Sequence, residues 1–273
     1  MLTDGLRWMK NKLILKKIWG RLGPIFFPVR CPVCDEILAP EERKTGIHKI
    51  CKKKLYLIKE SACMHCGRPL ENAAQEYCLE CQRKKYVPVH NSASSAKTPY
   101  LQTKSYITQG KALYLYRGAI KQTMYRFKYS NRRDYADYFA RETLRMYGKW
   151  IKQKNIDVIV PVPMYKAKQQ VRGYNQAEAF AQALSYLLDI PVDAQLVQRI
   201  RDTVPQKELN DLERKNNLKN AFQMSKSIVQ YSHILLVDDI YTTGSTAEAV
   251  AEEMITKGVA KVYMLSICIG KAM

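Results

Sequence analysis

Residues 233–246 read His-Ile-Leu-Leu-Val-Asp-Asp-Ile-Tyr-Thr-Thr-Gly-Ser-Thr. Ile234, Leu235, Leu236 and Val237 form a continuous apolar run, too short for a helix and β-branched at both ends. Such a run is a strand buried on both faces, as in a parallel sheet. Asp238 and Asp239 follow at its carboxyl end. Next come Thr242, Thr243, Gly244, Ser245 and Thr246, and then Ala247, Val250, Ala251 and Met254 at helical spacing, so a helix starts near Thr246. Open α/β sheets bind ligands at the carboxyl ends of their strands. A helix N-terminus offers unpaired N–H groups and the positive end of a dipole to a phosphate. The hydroxyls add donors, and Gly244 admits close backbone approach. The stretch therefore predicts a monophosphate cradle, with the acid pair placed to accept bonds from sugar hydroxyls above it. No Gly-Lys-Ser/Thr follows a glycine loop, which excludes a Walker site. A response-regulator acidic pocket has no use for the hydroxyl loop. The plain alternative is a strand-to-helix junction with surface acids.

The segment Val237-Asp-Asp-Ile-Tyr-Thr-Thr-Gly-Ser-Thr resembles the phosphoribosyl-pyrophosphate (PRPP) motif of type I phosphoribosyltransferases. Its Tyr-Thr-Thr-Gly form is similar to the ComF family of bacterial competence proteins. Arg126-Phe127-Lys128-Tyr129 and Arg172-Gly173-Tyr174-Asn175-Gln176-Ala177 also resemble ComF segments, as does the polar stretch carrying Arg201, Gln206, Arg214 and Asn217. The resemblance spans about residues 31–270. It implies an α/β fold of the type I phosphoribosyltransferase kind, a Rossmann-like parallel sheet with helices on both faces, preceded by a small Cys-rich zinc-ribbon module. It implies PRPP with magnesium as ligand, Asp238 and Asp239 as the catalytic pair, and residues 242–246 on the 5′-phosphate. It assigns the pyrophosphate and flexible loops to Val162, Pro163, Met164, Lys166, Arg172, Asn175, Gln176 and Arg201. Competence membership implies single-stranded DNA and a competence helicase as partners.

The residues themselves support part of this. Val158, Ile159 and Val160 form a buried strand that ends at Pro161-Val162-Pro163-Met164. The prolines take the chain out of the sheet as a rigid loop, where the amides of Val162 and Met164 could face a phosphate. Arg-Gly before the helix of Phe180, Leu184 and Leu187 is a natural anion binder. Further strands are expected at residues 113–116, 196–199 and 262–268, and helices around Ile120, Met124 and Phe127 and over residues 135–152. A last helix should carry Arg214, Asn216 and Asn217 and end before Phe222.

Cys31/Cys34, Cys63/Cys66 and Cys78/Cys81 have the two-residue gap that turns both sulfurs toward one ion. Cys51 has no cysteine partner; Lys54 stands where the ComF pattern carries one, and His48 precedes Cys51 by three residues. Seven thiolates and His48 would make two structural zinc sites, or one if Lys54 has abolished the first. Adjacent pairing (Cys31, Cys34, His48, Cys51; then Cys63, Cys66, Cys78, Cys81) is the simplest ribbon, and an interleaved one stays open. His65 should point away, and Cys268 reads as a small buried hydrophobe. Thiolate sites of this kind suit a reducing cytoplasm.

Lys and Arg number 45 against 25 acids, a formal charge of +20. That excess favours anionic partners without choosing among nucleic acid, phosphorylated substrate and lipid surface. The chain divides into a basic segment 1–30, a double zinc ribbon 31–90, a linker 91–108 and a phosphoribosyltransferase-like domain 109–273. The basic segment is a candidate for peripheral membrane contact. Three function classes remain open: a phosphoribosyltransferase acting during DNA uptake, a non-catalytic DNA-binding module of the same fold, and a nucleobase-salvage enzyme.

Overall fold

The computed structural model describes residues 28–59, 61–84, 87–88, 104–202, 218, 220–225 and 230–270. The basic segment up to residue 27, most of the expected linker, and Thr203, Gln206, Arg214, Asn216 and Asn217 lie outside them. The elements run α1 (Lys49–Lys53), α2 (Leu79–Lys84), β1 (Val87–Pro88), β2 (Lys104–Ser105), β3 (Ile107–Leu115), α3 (Ala119–Tyr129), α4 (Tyr135–Gln153), β4 (Val158–Pro161), α5 (Lys166–Arg172), α6 (Gln176–Leu188), β5 (Val197–Arg199), β6 (Phe222–Met224), β7 (His233–Tyr241), α7 (Ser245–Thr256) and β8 (Lys261–Ile269).

The central sheet has the order β3-β8-β7-β4 and every pairing is parallel. Its inner strand β7 is apolar on both faces because both are covered, as the run at residues 234–237 requires. Leu235 and Val237 pack with Phe127, Phe139 and Phe180 from α3, α4 and α6. Ile234 and Leu236 pack with Val250, Ala251 and Met254 of α7 and with Val197 and Phe222 of the β5–β6 ribbon. Each such side chain contributes about 1.5–3 kcal/mol on full burial. Helix α4 is amphipathic; it buries Tyr135, Tyr138, Phe139, Glu142, Thr143 and Ile151 at helical spacing.

The cysteine-rich module wraps the sheet edge instead of standing apart. Its first half, with Cys31, Leu38, Ile47 and Cys51, joins the core of the α3/α4 face. Its second half, with Cys63, Cys66, Cys78 and Cys81, joins the core of the α7 face. Between the halves the chain crosses edge strand β3. There the Ile58 amide donates to the Leu113 carbonyl at 2.9 Å and the Leu115 amide to the Tyr56 carbonyl at 2.9 Å. An open strand edge is thereby covered. The close approach needs two glycines. A Cβ on Gly67, whose φ is +75°, would lie 2.7 Å from the Gly110 carbonyl oxygen, and one on Gly110 would lie 3.1 Å from the Cys66 carbonyl oxygen.

Two expectations shift. Strand β3 starts at Ile107, inside the expected linker, because β8 pairs with it from Val262 onward. Strand β7 runs past the acid pair to Tyr241, held by the pairings Ile240–Cys268 and Tyr241–Ile269. The helix expected after Arg172-Gly173 begins at Gln176. A short helix, α5, precedes it and ends at left-handed Gly173 (φ +82°), and the Asn175 side chain caps α6 by accepting from the Ala177 amide. Phe222–Met224, for which the sequence carried no assignment, is a strand that pairs antiparallel with β5.

Candidate functional site

The carboxyl half of β7 carries the acid pair. The Asp239 amide donates to Asp238 Oδ1 at 2.8 Å. Enclosure in protein, with the neighbouring Asp239 carboxylate, raises the Asp238 carboxyl well above the ordinary carboxylate range. Alternation along the strand turns the two acids to different faces. Asp239 meets α3, where Lys128 Nζ lies 2.7 Å from Asp239 Oδ2. Burial opposes the charge on Lys128, yet Asp239 overrides it and holds the ammonium above its ordinary range. Asp238 faces Arg199 of β5, whose pKa is lowered by burial and supported in turn by Asp202 and Asp238.

The hydroxyl loop follows directly. Gly244 adopts φ +81°, and a Cβ there would land on the Tyr241 hydroxyl, so only glycine completes the turn into α7. Thr243 Oγ1 and Ser245 Oγ lie 2.9 Å apart. Gly244 at the N-cap position has no side chain to cap α7, and Thr243 Oγ1 accepts from the Ser245 amide at 3.5 Å, so the turn lines the positive end of the helix with hydroxyls.

The structure divides the expected pyrophosphate residues. The Val162 amide donates to the Val237 carbonyl at 2.9 Å, so it belongs to the sheet and does not face a phosphate. Asn175 is a brace: its Nδ2 donates to the Val162 carbonyl at 3.0 Å while its Oδ1 caps α6. Gln176 is buried and takes a bond from Arg172 at 3.1 Å. Arg172 lies over the Tyr129 ring at 5.2 Å, near enough to Lys128 to repel its charge. Pro163 is buried, Met164 half-buried and Lys166 exposed. Arg201 is exposed beyond β5. Sequence reasoning assigned no role to Lys128 or Arg199. The available signal for Lys128 was a lysine one turn after Met124, on the helix face that otherwise enters the core.

The cysteines form two clusters, Cys31, Cys34, His48 and Cys51, and Cys63, Cys66, Cys78 and Cys81. The ligand atoms within each lie within 4.8 Å of one another. This is the adjacent pairing. A zinc–sulfur bond of 2.3 Å in a tetrahedron places sulfurs about 3.8 Å apart; Cys66 and Cys78 sulfurs stand 3.7 Å apart. Both donor sets fit structural zinc. In the first, His48 would complete the ligands: its Nδ1 lies 3.2 Å from the Cys34 sulfur, and Glu42 lies 3.5 Å from its Nε2, where a carboxylate can orient the ring. Lys54 is exposed at the end of α1. His65 turns away from the second cluster and meets Ser105 Oγ at 3.2 Å. Among the described residues no helix is long and apolar enough to cross a membrane.

Residues 23–82 match the family model "Double zinc ribbon domain" and residues 172–271 match "Phosphoribosyl transferase domain". Competence protein F of Haemophilus influenzae is 32% identical over 88% of this chain and 96% of its own length. Competence protein ComFC of Bacillus subtilis is 25% identical over 81% of this chain and 82% of its own. The DNA utilization protein YhgH of Escherichia coli K12 is 39% identical over 41% of this chain and 49% of its own.

Proposed function

We propose, from the premise that this chain belongs to the ComF family of competence proteins, that it binds PRPP at the carboxyl end of β7 and handles single-stranded DNA during uptake. The observation that carries this reading is the convergence at one strand end of an acid pair, a hydroxyl-rich helix start, and the cations Lys128, Arg172 and Arg199. Acids suit ribose hydroxyls, while the helix start and cations suit phosphates. Asp238 and Asp239 would accept from the ribose hydroxyls and offset positive charge developing at the anomeric carbon. Residues 242–246 would hold the 5′-phosphate, and Arg172 with the loop after β4 would face the pyrophosphate. Each is a positioning or electrostatic contribution of about a few kcal/mol. Magnesium bound with PRPP would neutralise pyrophosphate charge. The +20 formal charge supports contact with a nucleic-acid backbone.

The test is calorimetric titration with magnesium and PRPP, then assay of pyrophosphate release across a panel of nucleobases and single-stranded DNA. Heat on titration with no release in any case would favour a PRPP-responsive binding module over a transferase. No heat with the native chain would end the PRPP reading.

A further inference from the structure

We propose that Arg68 is a positioning residue for the 5′-phosphate loop, a strut by which the second zinc knuckle sets the geometry of that loop. The proposal rests on the PRPP reading for its ligand, though its structural half does not. Arg68 is only 4% exposed and comes two residues after Cys66. Its Nη2 donates to the Thr242 carbonyl oxygen at 2.8 Å, and its Nη1 is bound by Glu80, which sits between Cys78 and Cys81. The Arg68 carbonyl accepts from the Cys63 amide at 2.7 Å. The guanidinium is thus held at its base by one Cys pair and at its head by the other, so its aim depends on the cluster that joins them.

The bond has a directional consequence. In a trans peptide the carbonyl and the following N–H point in opposite directions. Fixing the Thr242 carbonyl on Arg68 therefore turns the Thr243 N–H away from the ribbon, at the first residue of the turn that leads into α7. A planar fork with several donors can hold a carboxylate and a carbonyl at once; an ammonium on a flexible stem does so poorly.

A second, separate tie reaches the other end of the same turn from the same knuckle. His65, between Cys63 and Cys66, lies 3.2 Å from Ser105 Oγ, and Ser105 Oγ lies 2.6 Å from Glu248 Oε1 in the first turn of α7. The Tyr106 amide donates to Glu248 Oε2 at 2.9 Å. Both flanks of the loop are anchored to one zinc knuckle, which accounts for a ribbon packed against this face without supplying any group to the acid pair.

The test uses the full, zinc-loaded chain and Arg68→Met, Arg68→Lys and Glu80→Gln. Amide hydrogen exchange over residues 242–248 without ligand reads the strut directly; exchange should accelerate in Arg68→Met, less in Arg68→Lys, with zinc content unchanged. Affinity for PRPP with magnesium should fall roughly tenfold in Arg68→Met, in keeping with loss of a charged hydrogen bond. Controlled removal of zinc should accelerate exchange in the same residues. If Arg68→Met does not fold, Glu80→Gln, which replaces the charged anchor of the fork by a weaker neutral acceptor while leaving the arginine, is read in the same way, with a smaller acceleration expected. Unchanged loop exchange in Arg68→Met, or in Glu80→Gln where it substitutes, overturns the strut. Absence of PRPP binding by the native chain overturns only the ligand assignment.

Discussion

Lys128→Met removes the cation that faces Asp239, and its cost follows from the surroundings of the pair. The ions meet at 2.7 Å with side-chain exposures of 20% and 13%, so neither is well solvated. Taking one partner from a buried pair costs about 3–5 kcal/mol, because the other is left as an uncompensated charge. The residual exposure of both ions reduces this to about 2–3 kcal/mol. Urea denaturation of the zinc-loaded chain should show that loss for Lys128→Met. The double variant Lys128→Met/Asp239→Asn should recover most of it, giving a coupling energy of about 2 kcal/mol. Dependence on pH supplies the sign. The Asp238 carboxyl is raised in the folded chain, so its contribution is full below the ordinary carboxylate pKa and is lost as pH rises through its raised value. Lys128 also offsets the Asp238 charge, so the penalty of Lys128→Met should shrink as pH falls through the raised range of the Asp238 carboxyl. Additive single effects, or a penalty unchanged over that range, would refute the account.

Asp238→Asn should raise stability at neutral pH while abolishing PRPP binding, since the charge is costly to bury and useful to a ligand; thermal unfolding and calorimetry read the two effects separately. Metal analysis should find two zinc ions per chain, and His48→Ala should lose one while the Cys63, Cys66, Cys78 and Cys81 site keeps its ion. Gly67→Val adds a branched side chain at a left-handed φ against the β3 backbone; it should cost about 1–3 kcal/mol and expose β3 amides to hydrogen exchange. Binding of single-stranded DNA should weaken linearly in log–log form with salt, and a flat response in fluorescence anisotropy would remove nucleic acid from the partners.

Much of this molecule is written at short range along the chain. The apolar run at residues 234–237, the hydroxyl turn around Gly244 and the Cys-x-x-Cys pairs each declare a local geometry, because periodicity, turn conformation and ligand spacing involve residues only a few positions apart. His48 as a candidate fourth ligand was legible for the same reason, but only the fold brings its ring beside Cys31, Cys34 and Cys51 and leaves Lys54 in solvent at the end of α1. The sheet order, by contrast, brings together partners that no spacing rule connects. Lys128 reaches Asp239 because α3 covers one face of β7. Arg68 reaches Thr242 across 174 positions because the ribbon folds over the β3 edge onto the other face. Val162 shows the converse: its position beside a phosphate-loop proline suggested a free amide, and pairing with Val237 used that amide inside the sheet. Which donors stay available for a ligand is settled by the remainder left after every long-range hydrogen bond has formed.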